Sequence, residues 1–453
     1  MTVLVHHHRA ARWLVVVLVA VTIGGCAPPA VPGVPTAAPV AVPAGFSPAE
    51  LGAVLGLSPL PAPPDDPTNR YAADPRAARL GRWLFFDERL SRSGTVACAS
   101  CHDPKQGWGD GRALAVGEGQ VTRHAMTLWN VAYNRWFFWD GRADSLWSQA
   151  LGPLEEPAEH GSTRLEIAHL LASDPALRAA YEDLFGSLPP LGEVARFPAR
   201  GRPIPNEPRH PDARAYAAMD PTDRHAVDVV FANVGKALAA FQRRIVSRRS
   251  RFDIWAEGVA EGDPQKLAAM TAAEQRGLQL FVGKAKCMTC HSGPLFSDRE
   301  FHDTRVPPRK GGKRVDPGRQ AGIDRVLADP FNGVGAFSDA STGAARDKVG
   351  YLVKTNHSWS EFKTPSLRNV ARTAPYMHQG QFGTLAEVLQ YYNTLEGAVR
   401  RHHAAESVLA PLGLSPEELQ ALEAFLGALS DEDVLSELQT PPTSPGSLVA
   451  RGG

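Results

Sequence analysis

Neither sign of charge is in excess in this chain of 453 residues, since 48 Lys and Arg stand against 48 Asp and Glu. No net field therefore draws it to nucleic acid or to an anionic membrane surface. Strand-like alternation of apolar and polar residues is nearly absent, which excludes a sheet-built fold and leaves a mainly α one. The apolar run near the N-terminus, "WLVVVLVAVTIGG", is too short to span a bilayer comfortably. Cysteine is scarce, with five in the whole chain. The length leaves room for two or three domains.

What is present begins with an export signal. A basic stretch, "MTVLVHHHRAAR", precedes the apolar run, and small residues lead directly into Cys26. "IGGC" resembles a bacterial lipobox. Residues 1–26 therefore read as a lipoprotein-type signal peptide, with Cys26 lipidated and the protein held in the periplasm or cell envelope by that lipid alone. Residues 27–67, rich in Pro, Ala and Val, read as a semi-extended tether, and residues 441–453 as a flexible tail.

Five cysteines in an exported protein leave one unpaired, and assigning Cys26 to the lipobox removes the odd one. The other four form "CASCH" (Cys98, Cys101, His102) and "CMTCH" (Cys287, Cys290, His291). Each is C-x-x-C-H, the c-type haem attachment signature, in which two thioethers hold the porphyrin and the adjacent His ligates iron. A zinc site would bring its two CxxC halves much closer than the 189 residues seen here. A thioredoxin-like pair would need a βαβ setting.

The flanks of the two motifs agree. Asp74 and Pro75 open a helix containing "LGRWLFF", and Thr271 with Glu274 opens one containing "RGLQLFV". In both a glycine precedes a phenylalanine by one turn, Gly81 before Phe85 and Gly277 before Phe281, as a close helix crossing needs. "SPEELQALEAFLGAL" has the look of the helix that would cross the second of them. The pattern implies two cytochrome c-like haem domains, residues 68–255 and 256–440, with long irregular loops at 187–212 and 303–350. "QRRIVSRRSRF" (242–252) reads as a solvated helix end with some propionate pairing, and "RRHH" (400–403) as an exposed loop. In "QFGTLAEVLQYYNTLEG" (381–397), Thr384 and Glu387 have capping-box spacing; Tyr392 falls in the middle of the apolar stripe and Tyr391 at its edge.

Cleaving hydrogen peroxide at a haem needs an open iron position and a nearby group that can carry a proton from one oxygen to the other. The stretch "FFWDGRADSLWSQALGPLEEPAEHG" offers such a group and resembles the bacterial di-haem cytochrome c peroxidase and MauG superfamily. The resemblance runs over nearly all of the chain beyond the tether. It implies that Trp139 lies between the two haems, that Gln149 and Pro153 shape the pocket of the His102 haem, and that Glu159 moves the proton. Where many members carry a histidine that blocks this haem until reduction, the chain has Val116, which implies a permanently open site. His124 stands in place of an asparagine associated with calcium, and Thr373 and Pro375 match the other calcium positions.

In the superfamily the segment "TPSLRNV…TAPYMH" folds over the second haem, and the far ligand comes fourteen residues beyond its histidine, here His378. That count gives Tyr392, ahead of Met377, His378, His302 and His357. A phenolate is a hard donor that favours high oxidation states, whereas methionine would favour reduced iron. The resemblance therefore implies a MauG-like enzyme in which peroxide generates a high-valent di-haem state. That state oxidises an aromatic residue, tryptophan by preference, of an exported partner protein. "WDGRADSLWSQALGPLE" and "DPGRQAGIDRVLADPFNGVGAFSDA" are most similar to the methanobactin-associated MbnH type, whose partner is a small copper-binding protein. Two other readings stand beside it: a peroxidase fed with electrons by a small redox protein, and a lipid-tethered electron-transfer cytochrome.

Overall fold

The computed structural model describes residues 45–309, 315–399, 409–431, 436–443 and 448. Cys26, the signal peptide, residues 27–44 of the expected tether, "RRHH" and most of the expected tail lie outside them. Among the described residues the fold is mainly α, and its one sheet is a two-stranded antiparallel pair, Phe301–His302 with Phe362–Lys363. No described helix is long and apolar enough to cross a membrane.

Two hydrophobic cores organise the chain, each built around a crossing of two helices. The helix Pro75–Phe86, capped by Asp74, crosses Pro221–Gln242 in the first; the helix Ala272–Val282, with a Thr271/Glu274 capping box, crosses Pro416–Ala428 in the second. Both crossings are close enough to require glycine. A Cβ on Gly81 would run into the carbonyl oxygen of Ala237, and one on Gly277 into that of Ala421. Beside each glycine a phenylalanine packs on the partner helix, Phe85 on Phe241 and Phe281 on Phe425, both at 5.2 Å between ring centroids. Gly277→Ala should therefore destabilise the second core by about 3 kcal/mol or more, because backbone on both helices would have to separate. A drop in the thermal unfolding midpoint, with wild-type behaviour at an open glycine such as Gly350→Ala, would check this.

Segment assignment differs from the sequence expectation in three places. Ser47 and Glu50 form a capping box that starts the helix Pro48–Leu55, and Phe46, Leu51, Val54 and Leu57 are buried in the second core. The expected tether thus ends before residue 45, because a short amphipathic turn hides among its prolines. The helix Arg251–Glu261 buries Phe252, Trp255 and Val259 in the second core as well, so the passage between cores falls at 243–250 instead of after 255. In that passage Arg244, Arg248 and Arg249 are exposed, as expected, while Ile245, Ser247 and Ser250 between them are almost fully enclosed. Leu438 and Leu448, by contrast, return to the first core.

A second repeat has a constant offset of 239 residues. Asn130 and Asn369, both with left-handed backbone, each start a one-turn 3-10 helix, Val131–Tyr133 and Val370–Arg372. The bridge Phe137–Ala143 corresponds to Tyr376–Phe382. Ser145 and Thr384 cap helices of equal length, Leu146–Glu155 and Leu385–Thr394. Ser247 receives both asparagine side chains, Asn130 through its carbonyl at 2.9 Å and Asn369 through its hydroxyl at 2.8 Å. The two copies also exchange main-chain bonds: Lys363 N–H donates to Trp139 O, and His124 N–H donates to His378 O, each at 2.9 Å. Under the repeat Lys363 corresponds to His124 and Trp139 to His378.

Candidate functional site

The first motif lies on a single helical turn, Cys98–Cys101, with His102 at its end. His102 Nδ1 faces the carbonyl oxygen of Trp108 at 3.1 Å, and His291 Nδ1 faces that of Phe296 at 2.9 Å. In both cases the bonded nitrogen holds the ring, and Nε2 is the nitrogen left for a metal. Trp108 and Phe296 are fully buried, sit in left-handed backbone (φ 60 and 51), and pack on Phe85 and Phe281 at 5.9 Å. The crossing helices thus position each histidine through one aromatic residue.

The four cysteines are free of disulfides. Burial pushes the Cys98 and Cys287 thiols up to about 12 and that of Cys101 to about 11. Such groups are not reactive thiolates, and their chemistry is that of thioether attachment. Burial also holds both imidazoles neutral, the form that ligates iron. The donor set fits covalent haem at both motifs.

Val116 and the segment that carries Glu159 lie together beside the first motif. The segment 156–161 is pinned to 116–120 by Glu118 N–H on Glu159 O at 2.8 Å and Gly119 N–H on Ala158 O at 3.0 Å. Val116 lies alongside, its carbonyl oxygen 3.7 Å from Cys101 Sγ. Burial raises the Glu159 carboxyl above its ordinary range; Arg142 opposes this and Glu156 adds to it. Glu159 lies within electrostatic range of Cys98 and Cys101, and its charge adds to the rise of both thiols. Gln149 Oε1 is buried with no hydrogen-bond partner among the described residues. Pro153, inside the helix Leu146–Glu155, offers its carbonyl to His160 N–H at 3.1 Å. His160 itself was missed by sequence reasoning: its Nε2 is 3.9 Å from Cys98 Sγ, and burial pushes it down to about 4.

Tyr392 is the corresponding feature of the second motif. It is the eighth residue of its helix, as Pro153 is of the repeat partner, and the two lie 239 residues apart. Burial raises its phenol strongly; the charges of Tyr391, Cys290 and Cys287 add to this, while the Thr304 hydroxyl opposes it. The phenol thus lies within electrostatic range of the second cysteine pair. The helical-phase expectation for its neighbour needs correction. Tyr391 is the buried member of the pair and donates to Thr304 O at 2.8 Å, because a second face of this helix packs inward. Of the competing ligands, His302 Nε2 bonds Asp298 at 2.7 Å, His378 stacks on Phe362 at 3.8 Å, His357 is exposed, and Met377 is half-buried in left-handed backbone.

Trp139 joins the two halves. Its indole N–H donates to His124 O at 3.0 Å, and its own carbonyl accepts from Lys363. Next to it Asp140 binds Arg123 at 2.6 Å and Arg142 at 3.2 Å, and Arg123 continues to Asp316 at 2.8 Å. The residues named for calcium do not fit that ion. His124 puts an imidazole where a calcium site needs an oxygen donor, and its Nδ1 is engaged 2.7 Å from Arg112 O.

Two CxxCH sites on a repeated helical frame define a di-haem c-type oxidoreductase. The chain belongs to the di-haem cytochrome c peroxidase and MauG family, whose description "Di-haem cytochrome c peroxidase" matches residues 75–261. It is 34% identical to the methylamine utilization protein MauG of Methylorubrum extorquens, over 81% of this chain and 82% of that one. It is also 34% identical to the cytochrome-c peroxidase IdrP1 of Denitromonas iodatirespirans, over 86% and 89%. A crystal structure of a MauG-like protein associated with microbial copper homeostasis superposes with a TM-score of 0.57 at 26% identity, covering 84% of this chain and 97% of that one. Family membership brings two c-type haems and peroxidase-type oxidoreductase activity.

Proposed function

We propose that the chain uses hydrogen peroxide to oxidise an aromatic residue, tryptophan by preference, of an exported partner protein. In this reading the partner surrenders two electrons and two protons, and peroxide leaves as two waters. The bound haems supply the peroxide-cleaving and electron-transfer chemistry. Glu159 takes the proton from the near oxygen of peroxide and returns it to the leaving one. Gln149 and Pro153 shape the space above the His102 site, and Val116 leaves it open. Trp139, hydrogen-bonded into both halves, carries charge between them.

The observation that carries the reading is Tyr392. A phenol within electrostatic range of the second CxxCH, at the helix position where the repeat partner has proline, suits storage of oxidising equivalents better than delivery of electrons. The likeness to a protein associated with copper homeostasis supports a small copper-binding protein as partner. Export and attachment through Cys26 would bring the enzyme to such a partner. Reduction of peroxide with electrons from a small redox protein is the second reading, favoured by relatives of equal identity named cytochrome-c peroxidase.

The test is one equivalent of peroxide added to the di-haem protein without donor, followed optically and by EPR. Two oxidising equivalents that persist, and that disappear on adding the partner as its mass changes, support the proposal. Rapid discharge by reduced cytochrome c, with the partner's mass unchanged, overturns it in favour of the second reading.

A further inference from the structure

Lys363 is a buried cation for which no described residue provides a partner. It lies on the short strand Phe362–Lys363, fastened by its own N–H on Trp139 O and by Thr364 N–H on Glu300 O, both at 2.9 Å. Its side chain is 1% exposed. Other buried cations of this protein are satisfied: Lys236 by Asp339 at 2.8 Å, Arg368 by Asp253 at 2.8 Å, Arg164 by Glu155 at 2.8 Å, and Arg319 by the Gly141 carbonyl at 2.8 Å. The charge felt at Lys363 is that of Asp298, whose Oδ2 is already held by His302.

Leaving an ammonium in the interior without a counter-charge costs several kcal/mol. Burial pushes Lys363 down to about 8, so most of the population is still charged at pH 7. The place of this cation shows what would offset it. Asp298, Cys290 and His302 converge within 4.8 Å of one another, so Asp298 stands at the edge of the second CxxCH and Lys363 stands within reach of its charge. A haem anchored at Cys287 and Cys290 carries two carboxylates of its own.

We propose that Lys363 binds the second haem, its ammonium pairing with a propionate carboxylate of the group anchored at Cys287 and Cys290. Lys363 thereby sets the charge around that haem while its backbone holds Trp139. In the first half the repeat counterpart is His124, a ring that burial keeps neutral and whose Nδ1 faces the Arg112 carbonyl oxygen at 2.7 Å, so this cation belongs to one haem only.

The test reads a potential and needs neither peroxide nor partner, so it stands or falls separately from the proposed function. Spectroelectrochemical titration of the di-haem protein is compared with Lys363→Met and Lys363→Arg, the second haem's signals being assigned with His291→Gly. Removing the cation favours ferric iron. Lys363→Met should lower the reduced-to-oxidised ratio of the second haem at fixed poise by about tenfold or more and leave the first haem unchanged. Lys363→Arg should return the wild-type ratio. Equal ratios in all three proteins, with both haems in place, overturn the proposal. If Lys363→Met no longer holds its haem, redox-difference infrared spectra decide. A propionate carboxylate band that moves between wild type and Lys363→Arg supports the pairing, and an unmoved band overturns it.

Discussion

Tyr392→Met is expected to raise the midpoint potential of the second haem by on the order of several hundred millivolts, since axial ligands span about 0.8 V in haem proteins. Thioether sulfur favours ferrous iron, whereas a phenol that loses its proton on binding iron favours ferric and higher states. Burial holds the Tyr392 proton on in the absence of a metal, so binding to iron must release it. The variant should retain both haems, because neither CxxCH is touched. It should lose persistent storage of oxidising equivalents and gain turnover with a reduced cytochrome. Redox titration and the low-spin EPR signal of the second haem measure this. A spectrum indifferent to the substitution would remove Tyr392 from the iron and with it the main support for the MauG-like reading.

Glu159→Gln should slow the reaction with peroxide by about 10² to 10⁴-fold, the usual contribution of a positioned acid–base group. Glutamine keeps the shape and cannot take the proton. The pH dependence carries a sign of its own. Burial raises the Glu159 carboxyl, Arg142 pulls it back and Glu156 pushes it further up. The basic form is therefore lost at a higher pH than for an ordinary glutamate, and the wild-type rate should begin to fall on acidification above the usual carboxylate range. In Glu159→Gln that acid limb should vanish. Stopped-flow kinetics across pH 4 to 8 at saturating haem occupancy would show it; an unchanged rate and limb would leave the proton transfer to another group, with His160 next in line.

The parts of this protein legible in the sequence are those where chemistry dictates residue type. Cys98, Cys101 and His102, with their second copy, announce themselves because thioether attachment admits no substitute, and Gly81 and Gly277 because a helix crossing admits no Cβ. Contacts between segments far apart in the chain were harder to read. The crossing helix of the first core, Pro221–Gln242, was missed because burial on nearly every side erases its amphipathic pattern. The helix Pro48–Leu55 was hidden by a proline-rich surrounding, although Ser47 and Glu50 have the spacing of a capping box. The 239-residue repeat had a visible trace, "TLWNVA" against "SLRNVA", but its meaning depends on backbone dihedrals that composition does not carry. His160 and Lys363 had no signal beyond their neighbours, since one is defined by its distance to Cys98 and the other by the lack of a counter-charge.

The exchange of main-chain bonds between Lys363 and Trp139, and between His124 and His378, has the reciprocal pattern of an isologous dimer contact within one chain. In a homodimer each residue at such a contact exists twice, and no substitution can distinguish one half from the other. A single chain is free of that constraint. Each position can differ alone, and here one copy is an indole and the other an imidazole, one a buried ammonium and the other a ring against the Arg112 carbonyl. At the eighth position of the paired helices one copy has proline and the other tyrosine. Two motif sites with different surroundings thus need no new architecture, only unequal residues at a few positions along a shared seam.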